Sequence, residues 1–220
     1  MSELMALVQN HNVNVDLLND GDEDEFNRNA LHLAASNGHN ATIEFLLEKG
    51  AYLRSTCKFN ENALHVAARN GQTGTIKLLL EKGLGLKNFN LVHENALHLA
   101  AQNGHKETIE FLLENGLDLH STNNVGANAL HLAAQNGHNE TIELLLKKGL
   151  DLNSTDNVGG SAFHLAAQNG HNATIEFLLT KQSFLNSPTL FRKKTFLKAM
   201  KIACRNRHRS TMRLLKKHCP

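Results

Sequence analysis

The stretch HLAAQNGH occurs three times, at residues 98–105, 131–138 and 164–171. Each copy contains an Asn-Gly pair and two histidines, one at either end. Asn-Gly favours a β-hairpin turn when alternating apolar residues flank it, and paired histidines are common metal ligands. The sequence around the three copies decides between these interpretations and a third, in which the motif is one part of a larger repeat.

The motif belongs to a regular internal repeat. Its first histidine recurs at a constant interval, and one glycine and one isoleucine recur at the same interval. A constant period of about 33 residues indicates stacked helical units that bury a continuous core between neighbours. The recurring positions are His32, His65, His98, His131 and His164; Gly38, Gly71, Gly104, Gly137 and Gly170; and Ile43, Ile76, Ile109, Ile142 and Ile175.

The first half of a unit has the features of a short helix. Leu130, Ala133 and Ala134 recur at helical spacing, and the alanines allow a neighbouring helix to pack closely. Asn128 stands where an N-cap is needed, since its side-chain oxygen can accept from the free amides of the first turn. Gly137 follows as a left-handed residue past the helix end.

The second half of a unit predicts another helix. Ile142, Leu145 and Leu146 share one face, and Gly149 ends the helix. The polar stretch 151–159 then leads to the next unit. The Asn-Gly pair is thus flanked by helical periodicity, which excludes the β-hairpin interpretation and makes the pair a helix end.

The histidines and the cysteines give no sign of catalysis or of a cofactor. The histidines form a row with one position per unit, whereas metal ligands converge on one point, so we expect structural histidines and no metal. Cys57 and His65 could form a nucleophile–base pair, but no third residue orients them and Cys57 occurs in one unit alone. We therefore expect a free cysteine and no enzymatic activity.

These residues resemble the ankyrin repeat, whose pattern runs T-P-L-H-x-A-A-x-x-G-H. Residues 95–101 read NALHLAA, and residues 22–180 follow the pattern closely. Asn or Ser replaces Thr, and Ala replaces Pro, in every unit. The resemblance implies an all-α solenoid of stacked helix-turn-helix units with protruding hairpin-like loops, or fingers. It predicts a capping helix and acidic loop at 1–22, five repeats at 23–187 and a degenerate, basic capping repeat at 188–220.

The resemblance also implies that another protein binds to the finger tips and to the exposed side of the first helices. The second tip residue is usually polar in the family but is Phe or Val here, which predicts an apolar column unless adjacent fingers bury it. Phe59, with Lys58 and Arg69 nearby, is the expected centre. The predicted partner-binding residues are Phe26, Lys58, Phe59, Arg69, Leu91, Val92, Gln102, Val125, Gln135, Val158 and Gln168.

The basic C-terminal end is the alternative binding surface. Residues 181–220 contain twelve Lys or Arg and no acid, whereas residues 1–30 contain seven acids and one base. The cations predict binding to nucleic acid or acidic lipid, a solvated cap, or a salt-sensitive contact with the acidic loop 20–25 of a second molecule. The candidate anion-binding residues are Lys194, Lys198, Lys201, Arg205, Arg209 and Arg213.

Composition predicts the setting in which the protein acts. Three scattered cysteines favour a reducing, intracellular and cytoplasmic location. No stretch approaches the roughly 18 apolar residues of a membrane span. We expect a monomer that acts as a protein-interaction scaffold. The Asn-rich repeats also resemble proteins that intracellular bacteria deliver into host cells, which makes a role as a host-directed effector a further expectation.

Overall fold

The computed structural model describes residues 26–181 and 189–218. These residues contain helices and connecting loops and no β-strand. The capping helix and acidic loop predicted for residues 1–22 lie outside the described residues. The helices are α1 Ala30–Ser36, α2 Asn40–Glu48, α3 Ala63–Arg69, α4 Thr73–Glu81, α5 Ala96–Gln102, α6 Lys106–Glu114, α7 Ala129–Gln135, α8 Asn139–Lys147, α9 Ala162–Asn169, α10 Asn172–Leu179, α11 Thr189–Arg205 and α12 Arg209–His218.

The helices form a two-layer stack, which confirms the all-α repeat solenoid. Helices α1, α3, α5, α7, α9 and α11 pack side by side in one layer, and each contacts the second helix of its own pair. Alanines such as Ala100 and Ala133 are fully buried between neighbouring first helices, because their small side chains allow close approach. The recurring isoleucines of the second helices are fully buried as well, so one core runs through the stack.

A capping contact starts each of the regular first helices. The side-chain oxygen of Asn62 accepts hydrogen bonds from the backbone N–H groups of Leu64 and His65, each at 3.1 Å. In return, the backbone N–H of Asn62 donates to Nδ1 of His65 at 3.3 Å. Histidine thus takes the place of the Glu or Gln of an ordinary capping box. The same reciprocal contact occurs at Asn128, which confirms the predicted N-cap.

At His32, His65 and His131 the first histidine also connects its unit to the next loop, whereas Nε2 of His98 and of His164 has no hydrogen-bond partner among the described residues. Nε2 of His65 lies 3.1 Å from the carbonyl oxygen of Asn88, and Nε2 of His131 lies 3.1 Å from that of Ser154. A carbonyl oxygen only accepts, so Nε2 carries the proton and Nδ1 accepts from the cap. Burial lowers the pKa of His65 and of His131, which favours this neutral imidazole in the folded protein.

The second histidine of the motif joins a repeat to the preceding one. It begins the second helix, and its Nε2 donates to a carbonyl oxygen at the end of the previous first helix. Gln72 makes the equivalent bond to Ser36 at 3.3 Å. The histidine bonds run from His105 to Arg69 at 3.0 Å, from His138 to Gln102 at 3.0 Å and from His171 to Gln135 at 2.9 Å.

The glycine of the Asn-Gly pair is required for two reasons. Gly104 has φ +81°, the left-handed conformation predicted for a residue past a helix end. A Cβ on Gly104 would also lie 2.8 Å from Nδ1 of His138. The backbone of one repeat is thus in direct contact with the histidine of the next.

The last two helices continue the stack, and α11 is longer than the preceding first helices, with 17 residues. Nε2 of His208 donates to the carbonyl oxygen of Gln168 at 3.0 Å, and Thr211 donates to Asn172 at 2.7 Å. Thr75 and Asn40 make the same contact between earlier repeats. The outer face differs from that of the other repeats, because Lys201 and Cys204 are exposed where the preceding unit buries His164 and Ala167.

We predict that Gly104→Ala lowers the free energy of unfolding by roughly 3 kcal/mol, from left-handed strain and the clash with His138. Gly116→Ala is the matched control: Gly116 has φ +87°, but a Cβ there meets nothing within 4 Å. It should cost only about 1–2 kcal/mol. Urea unfolding of both variants measures the difference. Equal losses would show that contact with His138 contributes nothing.

We also predict that stability falls as the pH falls. Burial lowers the pKa of the first histidines, to about 4 for His98 and for His164. The unfolded chain takes up protons near pH 6.5 while the folded chain does not, so stability is complete above this pH and declines towards pH 4. Each of the two should contribute a loss of roughly 3 kcal/mol by pH 4. Urea midpoints over this interval measure the slope, which His98→Gln should reduce; a flat profile would contradict the prediction.

Candidate interaction surface

Each finger is a tight reversing turn between a second helix and the next first helix. In the second finger, Asn60 N–H donates to the carbonyl of Cys57 at 2.9 Å, and Cys57 N–H donates to that of Glu61 at 2.9 Å. The residue after each tip has positive φ, which Asn and Gly adopt more readily than other residues. These residues are Asn27, Asn60, His93, Gly126 and Gly159.

Backbone hydrogen bonds join successive fingers. The first tip residue donates its N–H to the carbonyl of the second tip residue of the preceding finger. This contact holds the fingers in one register and aligns their second tip residues. The bonds run from Lys58 to Phe26 at 2.9 Å, from Leu91 to Phe59 at 2.9 Å, from Asn124 to Val92 at 3.1 Å and from Asn157 to Val125 at 3.0 Å.

The aligned tip residues form an exposed apolar column. We define this finger column as Phe26, Phe59, Val92, Val125 and Val158. The exposed fraction of its residues rises from 36% at Phe26 to 83% at Val158, and the adjacent Leu91 is exposed too. Adjacent fingers therefore leave the column open to solvent. Such a continuous apolar strip is typical of an interaction surface.

The predicted residues on the first helices lie at the helix ends. Arg69, Gln102 and Gln135 are partly exposed and Gln168 is exposed. The carbonyl oxygen of each accepts the inter-repeat histidine bond, which fixes the backbone beneath the side chain. We call these four residues the helix-end row. Apart from Arg69 it is uncharged and offers amide donors and acceptors.

The column and the row meet in a recess between the first two fingers. Its volume is about 230 Å³, and its apolar walls include Phe26, Phe59 and Val66. The two phenylalanine rings lie 6.0 Å apart between centroids and are tilted by 48°. The guanidinium carbon of Arg28 lies 5.1 Å from the centroid of the Phe26 ring. Phe59 and Arg69 line the same recess, so these two predicted residues are brought together.

A buried carboxylate beneath the recess was missing from the sequence analysis. Glu61 is only 5% exposed, and its Oε1 accepts from the guanidinium of Arg69 and from the Asn90 amide at 3.1 Å. Arg69 is therefore held in place by an ion pair. The sequence contains one indication of this site, since a second glutamate, Glu94, occupies the same position one repeat later. In the structure the Glu94 carboxylate accepts hydrogen bonds from the side-chain amides of Asn90 and Asn123.

The candidate catalytic pair and metal ligands do not form a site. Both ring nitrogens of His65 contact other groups, namely Asn62 and the carbonyl of Asn88. Cys57 is a buried free thiol in the second finger. Residues 26–181 and 189–218 bring no three His, Cys, Asp or Glu side chains together in a metal-binding group. None of the helices in these ranges has the length and apolar content to cross a membrane.

The C-terminal helices place most of the candidate anion-binding residues in solvent. Lys198 differs, since its ammonium group donates to the carbonyl of Val158 at 3.1 Å and to that of Gly159. In the earlier fingers the equivalent carbonyl accepts an N–H from the next finger. Lys198 thus supplies a donor for the last finger of the row. The exposed cations are Lys194, Lys201, Arg205, Arg209 and Arg213.

Stacked helix pairs, aligned fingers and an exposed rim define a helical repeat protein. A family model described as "Ankyrin repeats (3 copies)" matches residues 3–90, 52–123, 84–156 and 130–219. The chain belongs to the ankyrin-repeat family. Ankyrin repeats generally mediate protein–protein interaction, and the family is typically a non-catalytic scaffold. Comparison with curated protein sequences gave no significant match.

Proposed function

We propose that this protein binds a partner protein through the finger column and the helix-end row, without catalysing a reaction. The observation that carries the proposal is the exposure of the finger column, which backbone hydrogen bonds hold in register. Apolar groups fixed in this way lose little conformational freedom on binding, which favours affinity. The polar helix-end row beside the column provides donors and acceptors that give the interface specificity.

Phe59 is the proposed centre of this interface. It lines the recess, contacts the ring of Phe26 and lies on the second finger beside the exposed Lys58. Aromatic and arginine side chains contribute more binding energy than most interface residues. Arg69 meets this description as well, and Glu61 fixes its position.

We predict that Phe59→Asp abolishes capture of the partner in a crosslinking pull-down from whole-cell lysate, with a loss of roughly thirtyfold or more in affinity. Because the proposed contact is apolar, capture by the unaltered chain should persist at high salt. Leu197→Asp is the matched control, since Leu197 is 47% exposed against 43% for Phe59 but lies on the C-terminal cap. Capture that survives Phe59→Asp and is lost in Leu197→Asp would overturn the proposal.

The basic cap is a second candidate surface, for anionic lipid or nucleic acid. The observation that favours it is the exposure of eight described cations on α11 and α12, the five candidates among them, in a segment where residues 182–220 contain no acid. Charge without nearby neutralisation produces a positive potential that attracts anions. The bond from Lys198 to the last finger gives this residue a role in the fold instead.

For this second function we predict salt-sensitive binding to acidic-lipid vesicles or to labelled DNA. The variant Lys201→Gln, Arg205→Gln, Arg209→Gln, Arg213→Gln keeps Lys198 and should bind at least about tenfold more weakly at low salt. Vesicle co-sedimentation and fluorescence anisotropy measure the two ligands. If the unaltered chain binds neither at low salt, the cap is a solvated end of the stack.

We further propose that the protein acts as a monomer in the cytoplasm. Lys201 is exposed on the face against which another repeat would stack. A second copy of the chain at this face would lie against the charged ammonium group of Lys201, which disfavours stacking. The thiols of Cys57 and Cys204 are free, which supports a reducing compartment. Delivery into a host cell is a proposal that rests on the Asn-rich repeats.

A further inference from the structure

We propose that the exposed face of α11 docks on the surface of an acidic lipid bilayer, with Leu197 inserted between the lipid headgroups. This inference rests on the second proposed function, the binding of anions by the basic cap, and it names the ligand as a membrane. It follows from the arrangement of the exposed residues on α11, from the open charge of the cap and from the position of one leucine among the cations.

The exposed side chains of α11 share one face of the helix. Successive residues of an α-helix are rotated by about 100° about its axis, so the exposed residues fall within an arc of roughly 120°. Phe196, Ala199 and Ala203 lie on the opposite side and are buried. Leu197 lies near the middle of the exposed arc and is 47% exposed. The described residues of this face are Lys193, Lys194, Leu197, Lys201, Cys204 and Arg205.

The positive charge of the cap is open to a ligand. Within residues 26–181 and 189–218, no ion pair joins a carboxylate to a cation of α11 or α12. Lys198 is set aside, because its ammonium group is bonded to the last finger. Clusters of about four to eight Lys or Arg on a helix surface are typical of proteins that bind acidic lipids. The exposed cations of the two helices are Lys193, Lys194, Lys201, Arg205, Arg209, Arg213, Lys216 and Lys217.

The cations of the cap take the place of neutral or acidic residues in the preceding repeat. His208 corresponds to His171, because Nε2 of each donates to the glutamine carbonyl at the end of the previous first helix. The positive charge is therefore a feature of the cap and is not required for stacking. In this alignment Lys201, Arg205, Arg213 and Lys216 stand at the positions of His164, Gln168, Glu176 and Leu179.

Leu197 favours a membrane over a nucleic acid. At a bilayer surface an exposed leucine reaches the boundary between headgroups and acyl chains, while the neighbouring lysines keep their ammonium groups among the headgroups. The phosphates of a nucleic acid offer a leucine no such contact, and single-strand binding sites present aromatic rings on which bases stack. Among the described side chains of α11 the one aromatic ring, that of Phe196, is 2% exposed and packs against Phe163.

The first test is the fluorescence of Leu197→Trp in the full-length chain, which has no tryptophan of its own. Its emission should shift to shorter wavelength with vesicles of equimolar phosphatidylserine and phosphatidylcholine, and should stay unchanged with phosphatidylcholine alone. Tyr52→Trp is the matched control, since Tyr52 is 61% exposed but lies in the loop between α2 and α3. Equal shifts in the two variants, or no shift in Leu197→Trp while the vesicles are bound, would overturn the proposal.

Co-sedimentation with the same acidic vesicles measures the contributions of the leucine and of the cations. Leu197→Gln should weaken vesicle binding by about fivefold or more, and should leave the affinity for labelled duplex DNA within about twofold. The variant Lys194→Gln, Lys201→Gln should weaken vesicle binding at least about tenfold at low salt. Lys87→Gln, Lys148→Gln is its matched control, because it removes two exposed cations outside the cap. Equal losses in the two double variants would contradict the proposal.

Binding of the unaltered chain to the two ligands separates failure of this inference from failure of the function on which it rests. Binding to DNA without binding to acidic vesicles would reject the membrane as the ligand and leave the cap as an anion-binding surface. Binding to neither ligand at low salt would reject the anion-binding function itself. Vesicle binding that Leu197→Gln leaves unchanged would show attraction by charge without insertion, which would overturn the proposed docking.

Discussion

The fold depends on a row of buried imidazoles, three of which, at His32, His65 and His131, are bonded both to their own helix cap and to the next loop. At His65, one ring nitrogen accepts from the cap of its own helix and the other donates to the loop of the next unit. That loop continues into the next finger, so the contact that starts a helix also positions the adjacent binding element. The helices, the loops and the fingers are therefore structurally coupled. A substitution of His65 should also change the position of the finger that follows.

Sequence alone was sufficient for the parts of the fold that follow local rules. The constant repeat interval, the cap at Asn128 and the left-handed Gly137 can each be read from the printed chain, because the cap and the helix end depend on residues close together in it. The site was harder to predict. The bond from Lys198 to Val158 joins residues that are far apart in the chain, which no local sequence rule predicts. Likewise, the exposure of the finger column depends on how neighbouring turns align, which no single repeat specifies.

The substitution of Asn for Thr at the caps has a partner elsewhere in the repeat. The Asn95 amide donates to the hydroxyl of Ser121 at 3.1 Å, and Asn29 donates to Ser55 at 2.9 Å. Asparagine makes the two contacts with separate atoms, its oxygen at the cap and its amide nitrogen at the serine, whereas the single hydroxyl of threonine would have to serve both. The departure from the family pattern is thus a coordinated change in cap and loop, and it adds one more connection between a helix and the segment that follows its unit.

The bond of Lys198 to the last finger affects where further repeats could be added to the stack. The second, third and fourth fingers each donate an N–H to the preceding finger and offer a carbonyl to the next one, so duplication of an internal unit would reproduce both partners at the new junction. At the end of the row a side chain from a helix already occupies the last acceptor. Lys201 and Cys204 are exposed on the outer face of the same helix. Recombination can therefore lengthen this row of fingers more readily between existing fingers than beyond the last one.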